Sequence, residues 1–170
     1  IELATQYGEK AIEKCLQNST YLSKPVSTEE IEAIIFVSST GIATPSIEAR
    51  IMNHMKFSDR VKRLPIWGLG CAGGASGISR AFDYCLAHPK AKVLVLCVEL
   101  CSLTFQPNDL TKSNLIGASL FADGVACALV CGDEANVEQK ILTPHIINTA
   151  SKWMPDSEDV MGWDVKNSGL

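Results

Sequence analysis

Apolar positions along the chain change period from segment to segment, and the changes outline its elements. Residues 2–18 carry Ala4, Ala11, Ile12, Cys15 and Leu16 at helical spacing, which predicts an amphipathic helix. A polar linker with Pro25 leads to a second start signal, Ser27-Thr28-Glu29-Glu30. The run "IEAIIFVSS", residues 31–39, is continuously apolar and β-branched and reads as a strand buried on both faces. Helical spacing returns over residues 44–55, where Pro45 and Ser46 supply start chemistry and Ile47, Ile51 and Met55 lie four apart. "VKRLPIWGL" predicts a short strand broken by Pro65, and a helix follows Cys71 as far as Ala87, closed by His88-Pro89. "AKVLVLCVEL" and "DGVACALVCGD" read as further strands, and "KILTPHIINTAS", residues 140–151, as one more. The polar stretch "MPDSEDVMG" reads as a surface loop. Strand and helix in alternation imply a layered α/β sheet with helices on its faces.

Composition narrows the class. The 170 residues are 46% hydrophobic and 20% charged, enough for one domain with a well-buried core. A net charge of -4 and a pI near 5.4 leave no basic stripe to neutralise phosphates, so nucleic acid is an unsuitable partner. Apolar runs fall short of the roughly 18 to 20 residues of a spanning helix. The seven cysteines, Cys15, Cys71, Cys85, Cys97, Cys101, Cys127 and Cys131, sit mostly in apolar runs, as reduced thiols of a cytoplasmic protein do. Neither Cys97/Cys101 nor Cys127/Cys131 suits a metal, since four residues of strand span about 13 Å and no histidine stands nearby. Because the sequence opens at Ile1 within a helical pattern, the expectation is a piece of a longer chain.

Cys71 stands where an apolar run meets the glycine-rich turn "GCAGGASG". At a helix start, unpaired backbone N–H groups and the helix dipole favour an anion, so the thiolate form is favoured there. Gly73, Gly74 and Gly77 cost the helix about 1 kcal/mol each relative to alanine, which calls for close approach of another backbone or of a substrate. A nucleophile and a structural cysteine in a tight turn both satisfy these facts, and spacing alone favours the structural reading.

Three ordered motifs shift that balance: "GLGCAGGASGISRAFDY", "VLVLCVELCSLTF" and "NLIGASLFADGVACALVCGD". With "IEAIIFVSSTGIATPS" and "MPDSEDVMGWDV", the chain resembles the type III polyketide synthases, the chalcone and stilbene synthase family, and "CAGGASG" and "DVMGWDV" are similar to its bacterial branch. The resemblance implies a thiolase-like layered αβαβα fold, of which residues 1–170 form most of the first of two βα halves, the second half being missing. It implies that Cys71 accepts an acyl group from an acyl-CoA and that malonyl-CoA supplies the extender by decarboxylative Claisen condensation. No cofactor is implied beyond these CoA thioester substrates, and no carrier protein. Phe121 matches the gatekeeping phenylalanine between the CoA tunnel and the cavity. Ser39, Thr40, Thr44, Cys101, Thr104 and Gly117 match cavity positions, Thr44 the one that reaches into the partner subunit. Thr44 stands where plant members carry methionine and Cys101 where they carry threonine. Glu99, a carboxylate ending an apolar strand, needs hydrogen-bond partners, and with Ser39 it matches a network linked to ring closure.

The resemblance also requires a histidine and an asparagine beside the cysteine to stabilise thiolate and enolate. His54, His88 and His145 do not match that histidine, so both activators are expected beyond Leu170. A homodimer is implied, its contacts expected at "AKVLVLCVEL" and around Thr44, and long-chain acyl starters leading to alkylpyrones or alkylresorcinols fit the bacterial motifs. Two alternatives stand beside this reading: a ketoacyl synthase of the fatty-acid initiating kind, and a non-catalytic thiolase-like dimer subunit in which Cys71 is merely buried.

Overall fold

The computed structural model describes residues 1–163. Four strands, β1 (Ala33–Val37), β2 (Lys62–Ile66), β3 (Lys92–Glu99) and β4 (Gly124–Cys131), form one sheet in the order β2-β1-β3-β4. β1 runs parallel to both β2 and β3, and β4 lies antiparallel to β3. Helices α1 (Glu2–Leu16) and α2 (Ile47–His54) cover one face, and α3 (Gly73–Ala87) covers the other.

The strand pleat divides the core in two. Ile34, Phe36, Leu94, Leu96 and Val98 point to the α1/α2 side, where they meet Ile12, Leu16, Ile47 and Ile51. Ala33, Ile35, Val37, Val93 and Val95 point to α3, where they meet Ala81 and Cys85. All five residues of β1 are buried, as its unbroken apolar run predicts. On α3 the buried positions are Gly73, Gly77, Ala81 and Cys85, a stripe of small side chains every four residues that lets the helix lie close to the sheet.

Three expectations need correction. Residues 140–151 form no strand: after the single bridge between Leu22 and Gln139 the chain continues unpaired, with Leu142 and Ile147 almost fully exposed. Pro65 does not break β2. It pairs in register with Phe36, which an edge strand tolerates because one side of its ladder needs no N–H donor. The start signal at Ser27 is met, its capping box opening the 3₁₀ turn Thr28–Glu30 that feeds β1. β3 lies inside the sheet, paired on both sides, so "AKVLVLCVEL" cannot supply a partner contact. Unforeseen was α4 (Lys112–Leu120), begun by Thr111, whose side chain accepts from the Asn114 N–H. Of the motif "DVMGWDV", Asp164 and Val165 lie outside the described residues.

Candidate active site

The parallel strands β1 and β3 end side by side, and the chain leaving each carries polar residues. Beyond the Ser38 N–H, which still donates to the Ile66 carbonyl at 3.3 Å, side chains satisfy backbone groups there. Ser38 donates through Oγ to the Val98 carbonyl at 2.6 Å and accepts the Gly41 N–H at 2.9 Å. Glu99 accepts the Ser39 N–H at 2.6 Å on Oε1, and the Thr40 N–H at 3.0 Å and Thr40 Oγ1 at 2.7 Å on Oε2. Thr40 Oγ1 in turn accepts the Leu100 N–H at 2.9 Å. The expected partners of Glu99 are thus Ser39 and Thr40, and the carboxylate ties the exit of β1 to the exit of β3.

β2 ends at the same edge and passes through residues 67–72 into α3. Gly68 and Gly70 hold φ of +86° and +49°, values that L side chains adopt only under strain. Between Gly70 and α3, Cys71 occupies the tight turn Gly70–Ala72 and is exposed. Two of the three glycines behind it are explained by close approach. A Cβ on Gly73 would stand 2.6 Å from Val37 Cγ1, and one on Gly77 would stand 2.9 Å from Val95 Cγ1 and 3.2 Å from Val37 Cγ2. A Cβ on Gly74 would meet only Cys97 Sγ, at an ordinary 3.6 Å. The glycine stripe therefore seats the start of α3 on β1 and β3, and Cys71 with it, at the carboxyl ends of the parallel strands, where α/β sheets place ligands.

Cys101 and Thr104 lie on the turn that leaves β3, where Thr104 Oγ1 donates to the Cys101 carbonyl at 2.8 Å. Burial pushes the Cys101 thiol up, and the nearby Glu99 and Asp123 carboxylates and the Cys71 sulfur add to the shift. Burial, then Glu99, pushes Cys97 up as well. The wall beside Cys71 therefore carries neutral thiols. Phe121 follows α4, its N–H donating to Gly117 O at 2.9 Å, and its ring lies 3.5 Å from where a Gly117 Cβ would be. Phe121 is half exposed.

The structure thus gathers Cys71, Cys101, Thr104, Ser39, Thr40 and Glu99 at one sheet edge and pairs Gly117 with Phe121. Thr44 is exposed and lines a different feature, a groove of about 490 Å³ with Ile42, Ser46, Arg63 and Trp67, among whose lining residues Cys71 is absent. Two contributors escaped the sequence reading. Ser38 bridges β1 to β3, and Asp123 accepts the Ser102 N–H and Ser102 Oγ, both at 2.8 Å. The only textual signal for Asp123 was its place in "FADG". His54 pairs with Glu9 at 2.6 Å, His88 stacks on Tyr84 at 4.5 Å, and His145 lies in the segment without strand or helix. Among the described residues no group of three or more His, Cys, Asp and Glu side chains can hold a metal, and no helix is long and apolar enough to cross a membrane.

Comparison with known proteins places the chain in a family. A relative from Bacillus subtilis (strain 168), whose name places it among the chalcone synthases, is 54% identical over 172 residues, 100% of this chain and 47% of the relative. The 1,3,6,8-tetrahydroxynaphthalene synthase of Streptomyces peucetius subsp. caesius is 39% identical over 145 residues, 85% of this chain and 38% of that enzyme. The chain spans about half or less of the length of these curated relatives. The crystal structure of the 1,3,6,8-tetrahydroxynaphthalene synthase of Streptomyces coelicolor A3(2), a bacterial type III polyketide synthase, superposes with a TM-score of 0.87 at 34% identity, over 99% of this chain and 45% of that one. The sheet with helices on both faces is therefore part of the thiolase-like fold of those enzymes. The profile of the chalcone and stilbene synthases, N-terminal domain, matches residues 2–134, and the chain belongs to that family.

Proposed function

We propose that this chain is the nucleophile-bearing half of a type III polyketide synthase. The observation that carries the reading is the placement of Cys71: an exposed thiol at the start of α3, beside Cys101 and the Glu99 clamp, in a chain of this family. In the proposed reaction the Cys71 thiolate attacks the carbonyl of an acyl-CoA and CoA leaves as its thiolate. Malonyl-CoA then loses carbon dioxide, and the resulting enolate attacks the Cys71 thioester, forming a carbon–carbon bond and releasing the Cys71 thiolate. A sulfur nucleophile suits both steps, because it attacks well and its thioester is more electrophilic toward a carbanion than an oxygen ester. Phe121 serves as the apolar gate where malonate's carboxylate is lost. The histidine and asparagine that complete the site come from the second half of the protein.

The substrate preference follows from the wall. Cys101, neutral and half-buried, keeps it apolar, and each buried methylene of an alkyl starter adds about 0.8 kcal/mol of binding. Long acyl starters and alkylpyrone or alkylresorcinol products fit such a wall, whereas the Streptomyces relatives are named for an aromatic product, tetrahydroxynaphthalene. Product analysis of the full-length protein with malonyl-CoA, alone and with acyl-CoA starters from acetyl to palmitoyl, tests the reading. Condensed products with kcat/KM rising with chain length are expected. Absence of any condensed product overturns the synthase assignment, and a preference for malonyl-CoA alone or for acetyl-CoA overturns the long-chain one.

The full-length protein is proposed to be a homodimer, with its contacts at the open edge of β2 and the neighbouring Thr44 loop, since β3 is internal. Light scattering at micromolar concentration should give twice the chain mass, and a stable monomer contradicts it. All seven thiols are free, which supports a cytoplasmic setting.

A further inference from the structure

The last ladder pair between β3 and β4 is Glu99 with Gly124. Beyond it the two chains part, one into the turn that carries Cys101 and Thr104, the other from the segment that carries Phe121. α4, which leads into Phe121, has no buried residue to anchor it. What joins the two segments is Asp123, whose Oδ1 accepts the Ser102 N–H and whose Oδ2 accepts the Ser102 hydroxyl, each at 2.8 Å. The hydrogen bonds from Ser102, the backbone one foremost, hold the Asp123 carboxyl below the usual carboxylate range, as two donors aimed at one carboxylate should. Two-pronged contacts fix orientation as well as distance, and Ser102 adjoins Cys101 while Asp123 stands two residues after Phe121.

We infer that the Asp123–Ser102 clamp is a positioning device that sets the separation between the Cys101 wall and the Phe121 gate, and so helps decide which acyl chain fits beside Cys71. This rests on the synthase reading above. Neither residue touches the reacting atoms; each acts through the side chain beside it. Loss of a prong should displace the gate relative to the wall, and a misplacement of about 1 Å near the reacting groups costs about 10²-fold in rate.

The test uses the full-length protein with Asp123→Asn, Ser102→Ala and Ser102→Thr, the last keeping the hydroxyl. Alkylation of Cys101 by iodoacetamide, mapped by mass spectrometry, should quicken severalfold in Asp123→Asn and Ser102→Ala and stay near wild type in Ser102→Thr, with Cys71 alkylation unchanged in all three. In the condensation assay, kcat/KM should fall about 10- to 100-fold in the first two, unevenly across starter lengths, and recover in Ser102→Thr. The two substitutions combined should cost little more than either alone. Unchanged Cys101 alkylation overturns the inference whether or not the protein is a synthase. So does an even fall for all starters that tracks a lowered melting temperature. A wild-type protein that condenses nothing, yet shows the Cys101 response, overturns the synthase reading and leaves the clamp as a device that positions Cys101.

Discussion

At the scale of single residues, the small side chains behind Cys71 do two different jobs. Gly77 is needed for packing: a Cβ there would meet Val95 at 2.9 Å and Val37 at 3.2 Å, so Gly77→Ala should destabilise the full-length protein by about 1–3 kcal/mol through overpacking. Gly74 has room, its Cβ meeting only Cys97 Sγ at 3.6 Å. Gly74→Ala should leave stability unchanged or raise it by up to about 1 kcal/mol, because it removes a helical glycine. Urea denaturation of the two variants checks the pair, and equal midpoints contradict this account of the stripe. The position of Cys71 at the start of a helix was legible from the turn and its glycines. From the residues alone the Glu99 clamp was legible only as a need for partners, the resemblance adding Ser39, because which backbone groups meet a carboxylate 60 residues away is decided by strand order. Asp123 and Ser38 were not legible, since a short polar side chain beside a strand end shows no pattern until the neighbouring strand is known.

Among elements, legibility followed burial. β1 and β3 are apolar on both faces and read directly as strands, whereas α4 buries nothing and shows no apolar stripe, leaving Thr111 as its one readable signal. Residues 140–151 failed in the opposite sense: their composition suits a strand, but a strand also needs a ladder partner, and theirs ends at the bridge to Leu22. The join between α2 and β2 offers a test of element packing. Glu48 is fully buried at the start of α2, where it accepts Arg63 Nη2 at 2.9 Å and Nε at 3.2 Å from β2, and Ser46 Oγ at 2.5 Å. Its Oε2 has no partner among the described residues. Arg63→Ala would leave that carboxylate buried with one hydroxyl donor, and should cost about 2–3 kcal/mol, Arg63 being partly exposed. Thermal denaturation reads this directly, and an unchanged midpoint would show that α2 is held by Ile47 and Ile51 alone.

For the whole molecule, the reduced thiols give the fold an alkaline limit. Burial pushes the thiols of Cys85, Cys97 and Cys131 above the ordinary 9.0, Cys131 to about 11. A raised folded-state value means that the native chain keeps protons the unfolded chain has lost. Stability is therefore fully present below pH 9 and falls as pH rises toward 11. The urea midpoint of the full-length protein should decline over that window, and decline less in Cys131→Ala; identical slopes in the two proteins contradict the assignment.

The central claim, that Cys71 accepts the acyl group, is tested most directly by incubating the full-length protein with a starter acyl-CoA and mapping the adduct by mass spectrometry. The account predicts the acyl mass on the peptide containing Cys71, its discharge on addition of malonyl-CoA, and turnover reduced below about one thousandth in Cys71→Ala. Stable acylation of any other cysteine, with Cys71→Ala still turning over, would contradict it.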